Sequence, residues 1–189
     1  MIVPYSFYAR SPDVVAKELL GKRLVRRFEG VQLEGVIVET EAYFGEDDPA
    51  SRAYLGRKRY NSQMWSEPGT LFIYNVHKYW MLNVVAHEPK DVGGVLFRAI
   101  EPTRGVELML RNRPVQRITE LTSGPGKLSV ALHVEPSMTG INVINSENAV
   151  FIVDGELIRY LSSRRVGVTM DLPRDLRFYI EGNPYVSKP

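Results

Sequence analysis

Val36-Ile37-Val38-Glu39-Thr40-Glu41-Ala42-Tyr43 begins as an apolar β-branched run and then places two acids where a buried strand would continue with aliphatics. Residues two apart on a strand point the same way, so Ile37, Glu39, Glu41 and Tyr43 share a face, and two carboxylates project beside an aromatic ring. A carboxylate that continues an apolar strand is partly desolvated. That raises its pKa and lets it act as a base, unless a nearby cation restores its charge. The same pattern also fits a strand that simply runs out into solvent.

The flanking sequence predicts the elements around this strand. Leu24–Phe28, the turn Glu29-Gly30 and the long run Val31–Tyr43 form a hairpin, and Ser11-Pro12-Asp13 through Leu20 followed by Gly21 forms a capped helix. Further strands are expected at Leu71–Tyr74, Tyr79–Ala86, Val95–Ile100, Val150–Val153 and Phe178–Ile180. A second helix is expected from near Thr103 to about Arg111, stopped by Pro114, and a third after Ser123-Gly124-Pro125-Gly126. Strands dominate and helices do not alternate with them, so the expected class is α+β with a mostly antiparallel sheet. At 189 residues, with no repeat and no linker, residues 1–189 make one domain.

Composition removes whole classes of function. With 44% hydrophobic and 24% charged residues the chain is neither disordered nor fibrous. Zero cysteines exclude disulfides, thiolate metal sites, iron–sulfur clusters and a cysteine nucleophile. His77, His87 and His133 lack any paired metal spacing, so no metal is expected, and no cofactor either, since the chain has no phosphate-binding or dinucleotide glycine motif and no serine-hydrolase elbow. No apolar run approaches membrane-spanning length and the N-terminus lacks a signal-peptide pattern, so the expected setting is the cytosol or nucleoid, and the expected state a monomer. A net charge of +2 gives no strong overall field, but cations cluster at Lys22-Arg23, Arg26-Arg27, Arg57-Lys58-Arg59 and Arg164-Arg165.

Three further segments carry candidate chemistry. In Val95-Leu96-Phe97-Arg98-Ala99-Ile100 one arginine sits in an apolar run and needs a carboxylate partner: Glu41, Glu39 or, as a purely structural pair, Glu101. Ser51 to Trp65 mixes Arg52, Arg57, Lys58 and Arg59 with tyrosines and amides and reads as a loop, either merely solvated or suited to phosphates and bases. Pro68–Tyr74 and Tyr79–Asn83 read as a hairpin with a four-residue polar tip, Asn75-Val76-His77-Lys78, able to probe a groove. Ser123-Gly124-Pro125-Gly126-Lys127 places amides and Lys127 at a helix start, as a phosphate would require.

Taken in order, these segments resemble the alkyladenine (3-methylpurine) DNA glycosylase family of base-excision repair, over about Leu20 to Ser187. The pieces that carry the resemblance are Val38–Tyr43, Asp48-Pro49-Ala50-Ser51, Pro68–Leu71 with Tyr74, Asn83-Val84, Leu96–Pro102, Ser123–Leu128, Arg165–Val168, Arg177-Phe178-Tyr179 and Gly182–Ser187. The resemblance implies a curved antiparallel sheet with a β-hairpin that enters the DNA minor groove and replaces an extruded nucleotide. It implies that Glu41 is the general base that activates water, that Arg98 helps hold that water, that Tyr43 and Tyr74 sandwich the flipped purine, and that Asn83 sits against its edge to discourage guanine's 2-amino group. Glu39 has no catalytic role by this mapping. Two positions depart from the family: Arg52 stands where a histidine usually stacks on the base, and the groove wedge, usually Tyr-Gly, reads His77-Lys78, so either His77 or Tyr79 fills that role. The partner implied is duplex DNA with a damaged purine. Alkylation makes such a base cationic, and a cation gains roughly 0.5–2 kcal/mol on aromatic faces such as Tyr43 and Tyr74. With no lysine beside Glu41 in sequence, simple hydrolysis to an abasic site is expected.

Overall fold

The long strand β2 (Val31–Tyr43) is the spine of the molecule. A computed structural model, which describes residues 1–188, places it in an eight-stranded sheet whose pairings are all antiparallel. Along one edge of β2 lies β5 (Gly94–Arg104); the other edge is shared by β1 (Arg23–Phe28) and, further along, β8 (Arg177–Ile180). Between those two partners Ile37 bonds the loop before β1: its amide donates to Lys22 O at 2.8 Å and its carbonyl accepts Gly21 N–H at 2.9 Å. Gly21 has φ +83°, and a Cβ there would lie 2.2 Å from Glu156 O, so only glycine serves.

The sheet continues outward as β3 (Leu71–Val76) and β4 (Tyr79–Val85) beyond β5, β6 (Val150–Val153) beyond β1, and β7 (Tyr160–Ser163) beyond β8. Register shifts at Ile37/Glu39 and Glu39/Thr40 break the regular β2–β5 ladder. Such bulges bend and overtwist a strand, which curls the sheet at the point where the two glutamates stand.

Four helices flank it: α1 (Tyr5–Tyr8), α2 (Pro12–Leu19), α3 (Val106–Asn112) and α4 (Pro125–Ala131), giving an α+β domain. α2 starts where Pro12 fixes φ at its first position and buries Val15, Ala16 and Leu19. Thr40 Oγ1 donates to Ala16 O at 2.8 Å and pins this helix to β2. Leu24, Leu33, Ile37, Phe97, Ile100, Leu108 and Leu128 belong to the main core. Glu39 through Ala42 are all buried, so both faces of this stretch are covered and the strand does not run out into solvent. A second, smaller cluster of Ala53, Met64, Phe72, Val85 and Val92 lies under the segment that follows β2. Among the described residues no helix is long and apolar enough to cross a membrane.

Three local expectations need correction, and one strand is new. The helix expected near Thr103 begins at Val106, because β5 stays paired through Arg104, opposite Glu34, and Gly105 in the left-handed region turns the chain out. The Ser51–Trp65 stretch is not all loop: Arg59–Trp65 is 3-10 helical. The hairpin tip is two residues, His77-Lys78, since Asn75 and Val76 pair with Trp80 and Tyr79. β7 was not foreseen, because a four-residue strand of mixed polarity exists only by pairing with β8.

Candidate active site

Glu39 and Glu41 meet Arg98 across the β2–β5 ladder. The Arg98 Nε donates to Glu39 Oε1 at 2.8 Å, and Nη1 lies 3.3 Å from Glu41 Oε1. Glu101 takes no part and accepts instead from Asn183 at 2.7 Å. The two acids are held differently. Glu39 also receives Arg177 Nε at 2.7 Å, Ser187 Oγ at 2.8 Å and the Ser187 amide at 2.7 Å, so it ties β2, β5, β8 and the C-terminal segment together. Burial pushes its pKa up, but the charge of Arg98, the Ser187 amide and Arg177 outweigh that and hold the carboxyl below the ordinary value. Glu41 receives the Val166 amide on Oε1 at 2.7 Å and the Tyr43 hydroxyl on Oε2 at 2.7 Å. A carboxylate oxygen offers about two lone-pair positions, and the Tyr43 hydroxyl is the one donor on Oε2, which leaves an acceptor position open there. For Arg98 the burial cost is more than offset by Glu41 and Glu39, so its pKa is raised and it stays charged.

Tyr43 is the link between Glu41 and the adjoining pocket. Burial, followed by the charge of Glu41, drives its phenol well above the ordinary value, so it remains a proton donor to the carboxylate. One face of its ring lies 4.6 Å from the Arg165 guanidinium carbon. Arg165 is fixed by a two-pronged pair with Asp48 (2.7 Å to each oxygen), by Asp171 at 2.6 Å and by the Ala42 carbonyl at 3.0 Å. Asp48 in turn accepts the Phe44 and Ala50 amides at 2.9 and 3.1 Å, which folds the chain sharply after β2. Burial raises the Asp48 pKa, but Arg165 and these amides bring it below the ordinary value.

That fold-back delivers Arg52 to the pocket. Tyr43, Arg52, Met64, Phe72, Tyr74, Asn83, Val84, Val85, Gly93 and Gly94 line a cavity of about 300 Å³ counted to its mouth, and its enclosed part has room for about one water molecule. Of the aromatic, cationic and amide residues expected there, all four are present. The Arg52 guanidinium carbon sits 4.5 Å over the Tyr74 ring, while Asn61, fully buried, donates to Arg52 O at 2.7 Å and to Gly56 O at 3.1 Å. Burial raises the Tyr74 phenol against the opposing charge of Arg52. Asn83 Nδ2 donates to Met81 O at 3.0 Å and Phe72 O at 3.2 Å. Only the NH₂ end can serve two carbonyls, so the atom Asn83 offers a ligand is its Oδ1, an acceptor. No lysine lines the pocket.

The expected DNA-facing residues separate into three places. His77, at φ +53°, and Lys78 are exposed at the β3–β4 tip. Tyr79 instead packs on the start of α4, where a Cβ on Gly126 would come within 2.9 Å of its ring. Arg57 is exposed in the segment after Arg52, and Lys127 reaches back to Ser123 Oγ at 3.3 Å. The three histidines are dispersed: His87 lies between the carbonyls of Glu88 and Ser66, and His133 stacks on Phe28. Among the described residues no three His, Asp or Glu side chains are grouped to hold a metal.

Sequence reasoning did not assign Arg165, Asp48, Asp171, Arg177, Val166 or Asn61 to this site. Several stand in segments that carried the resemblance, but Arg165 pairs with Asp48 across 117 positions and Arg177 with Glu39 across 138, and no local pattern signals such partners.

Residues 6–184 match the family model described as methylpurine-DNA glycosylase (MPG). A protein of Aeropyrum pernix named "Putative 3-methyladenine DNA glycosylase" is 41% identical over 191 residues, covering 99% of this chain and 93% of its own length. Proteins of the same name from Clostridium perfringens strain 13 and Clostridium tetani are 41% and 40% identical, covering 96% and 100% of this chain and 97% and 100% of their own lengths.

Proposed function

The chain belongs to the methylpurine-DNA glycosylase family, and from that premise we propose that it is a monofunctional DNA glycosylase that removes alkylated or deaminated purines from duplex DNA by hydrolysis. A base within a duplex hides its glycosidic bond, so the nucleotide turns out of the stack at a cost of a few kcal/mol, least for a damaged or mispaired base. His77 at the hairpin tip fills the gap it leaves, with Lys78, Arg57 and Lys127 on the phosphates. Tyr43 and Tyr74 take the purine between them once Arg52 shifts along the Tyr74 face. Glu41 uses its remaining lone pair to hold a water and takes a proton from it as the oxygen bonds C1′ and the glycosidic bond breaks. Arg98 orients the same water and keeps the paired charges in place.

The observation that carries this reading is the bracing of Glu41. A buried carboxylate is held by a tyrosine that also lines the pocket, by a backbone amide and by an arginine, with one acceptor position still open. Glu39 differs in that none of its donors, Arg98, Arg177 and Ser187, lines the pocket, whereas the donor on Glu41 Oε2 is the pocket tyrosine itself.

Duplexes that each carry one hypoxanthine, ethenoadenine, 3-methyladenine or 7-methylguanine test the proposal. Release of free base, with strand cleavage appearing only after alkali, is the expected result. Cleavage without alkali would replace hydrolysis by a lyase mechanism, and tight binding without base release would make the chain a damaged-DNA-binding module. The remaining expectations, action as a monomer without metal or cofactor, are checked by the same assay in chelator and by sedimentation.

A further inference from the structure

We propose that Arg52 sets the charge preference of the pocket, favouring damaged purines that are uncharged and disfavouring cationic, alkylated ones. This rests on the glycosylase reading and deepens it. The Arg52 guanidinium lies 4.5 Å over Tyr74, in the same pocket wall as Tyr43 and Asn83, and Asn61 fixes the backbone from which it reaches. The other charges of the site are matched. Glu39 and Glu41 face Arg98 and Arg177, while Asp48 and Asp171 face Arg165. Among the described residues Arg52 forms no ion pair, so its charge reaches the pocket uncompensated.

The chemistry then divides lesions by charge. When water attacks C1′, its proton passes to Glu41, the C1′–N9 bond breaks and the bonding electron pair goes to the purine. An N3-alkylated adenine enters as a cation and departs neutral. Hypoxanthine enters neutral and departs as an anion, which afterwards takes up a proton by way of solvent. A positive charge on the pocket wall opposes entry of the first and stabilises departure of the second, and both effects act in the same direction on their ratio. Attraction of a cationic base to the tyrosine faces is correspondingly weakened, because a guanidinium already occupies a face of each ring.

The test compares kcat/KM for release of hypoxanthine and of 3-methyladenine, neither of which carries a 2-amino group, by the wild-type chain, Arg52→Gln and Arg52→Lys. For Arg52→Gln the hypoxanthine to 3-methyladenine ratio is expected to fall about tenfold or more, the scale of one unit charge in a partly desolvated pocket, and Arg52→Lys, which keeps the charge, is expected to preserve it within about threefold. An unchanged ratio in Arg52→Gln overturns the inference, as does Arg52→Lys behaving like Arg52→Gln, which would assign the effect to the planar group and not its charge. A wild-type chain that releases neither base overturns the glycosylase reading itself, a result distinct from either.

Discussion

Glu39, Glu41, Asp48, Arg98, Arg165 and Arg177 form a buried floor, joined to the pocket wall through Tyr43, in which each charge faces an opposite one and every residue is at least nine-tenths buried, whereas Arg57, Lys58 and Lys78 make an outer rim, exposed and without ion-pair partners among the described residues. The floor is costly to assemble, since each ion loses water, and it holds only because the hydrogen-bond geometry is nearly complete. In return its groups are fixed before any substrate arrives, and in a low dielectric they act strongly at short range. The rim needs no such precision. Its charges act at longer range, weakly and under salt screening, as suits a first encounter with a polyanion.

The sharpest way to break the comparison is to alter the floor at one atom. Glu41→Gln is expected to lower excision by about 10²- to 10⁴-fold, the usual worth of a positioned general base, while duplex binding stays within a few-fold. Arg98 keeps Glu39 as a partner in this variant, so the protein should remain folded. Near-normal turnover would remove Glu41 from the chemistry.

Two residues away, the same substitution should read out as stability. Glu39→Gln leaves the buried Arg177 with no carboxylate partner, Arg98 keeping Glu41, and a loss of roughly 3–5 kcal/mol is expected from urea unfolding. A loss under about 1 kcal/mol would mean that the anchoring described for Glu39 is not structural.

The floor also predicts a pH dependence of a definite sign. Glu39 and Asp48 have folded-state pKa values below the ordinary carboxylate value. The unfolded chain therefore takes up protons first as pH falls, so their stabilisation is complete above the ordinary carboxylate range and is lost as pH drops through that range towards the depressed folded values. Unfolding midpoints measured from about pH 7 down to about pH 3 should be level and then decline, and the decline should be shallower in Glu39→Gln.

The smallest effect belongs to the rim. Arg57→Ala or Lys78→Ala should leave stability within about 0.5 kcal/mol and reduce the salt dependence of duplex binding by about one phosphate contact each. Should either variant instead cost stability like a floor variant, the division between the two regions would fail.

Much of this organisation was legible along the chain, and the reason is local. Period-two placement of Ile37, Glu39, Glu41 and Tyr43, the proline that starts α2 and a lone arginine among the aliphatics of β5 are each set by a residue and its immediate neighbours. The pairing of Arg98 with the β2 acids was legible too, because an arginine buried in an apolar strand demands an anion and few are near.

What strand periodicity left open, and only the family resemblance assigned, was the division of labour between Glu39 and Glu41. Both were placed on one face with similar surroundings, and nothing in Glu-Thr-Glu distinguishes them. The structure does so by bringing Arg177 and Ser187 to one and Val166 and Tyr43 to the other. The hairpin tip shows the same limit at smaller scale: the residues were identified, but its length of two and the seating of Tyr79 against Gly126 follow from register with β4 and contact with α4.

Sequence alone determined which groups the site would contain, because the identity of a base, a cation or a ring is covalent and the strand period fixes the side on which it emerges. Tertiary structure alone decided which acid is braced by the scaffold and which by the pocket tyrosine, and it placed Arg52 over Tyr74. The bracing of the two acids depends on donors brought from more than a hundred positions away by the curl of the sheet, and the energy of a hydrogen bond depends on distance in space, not along the chain.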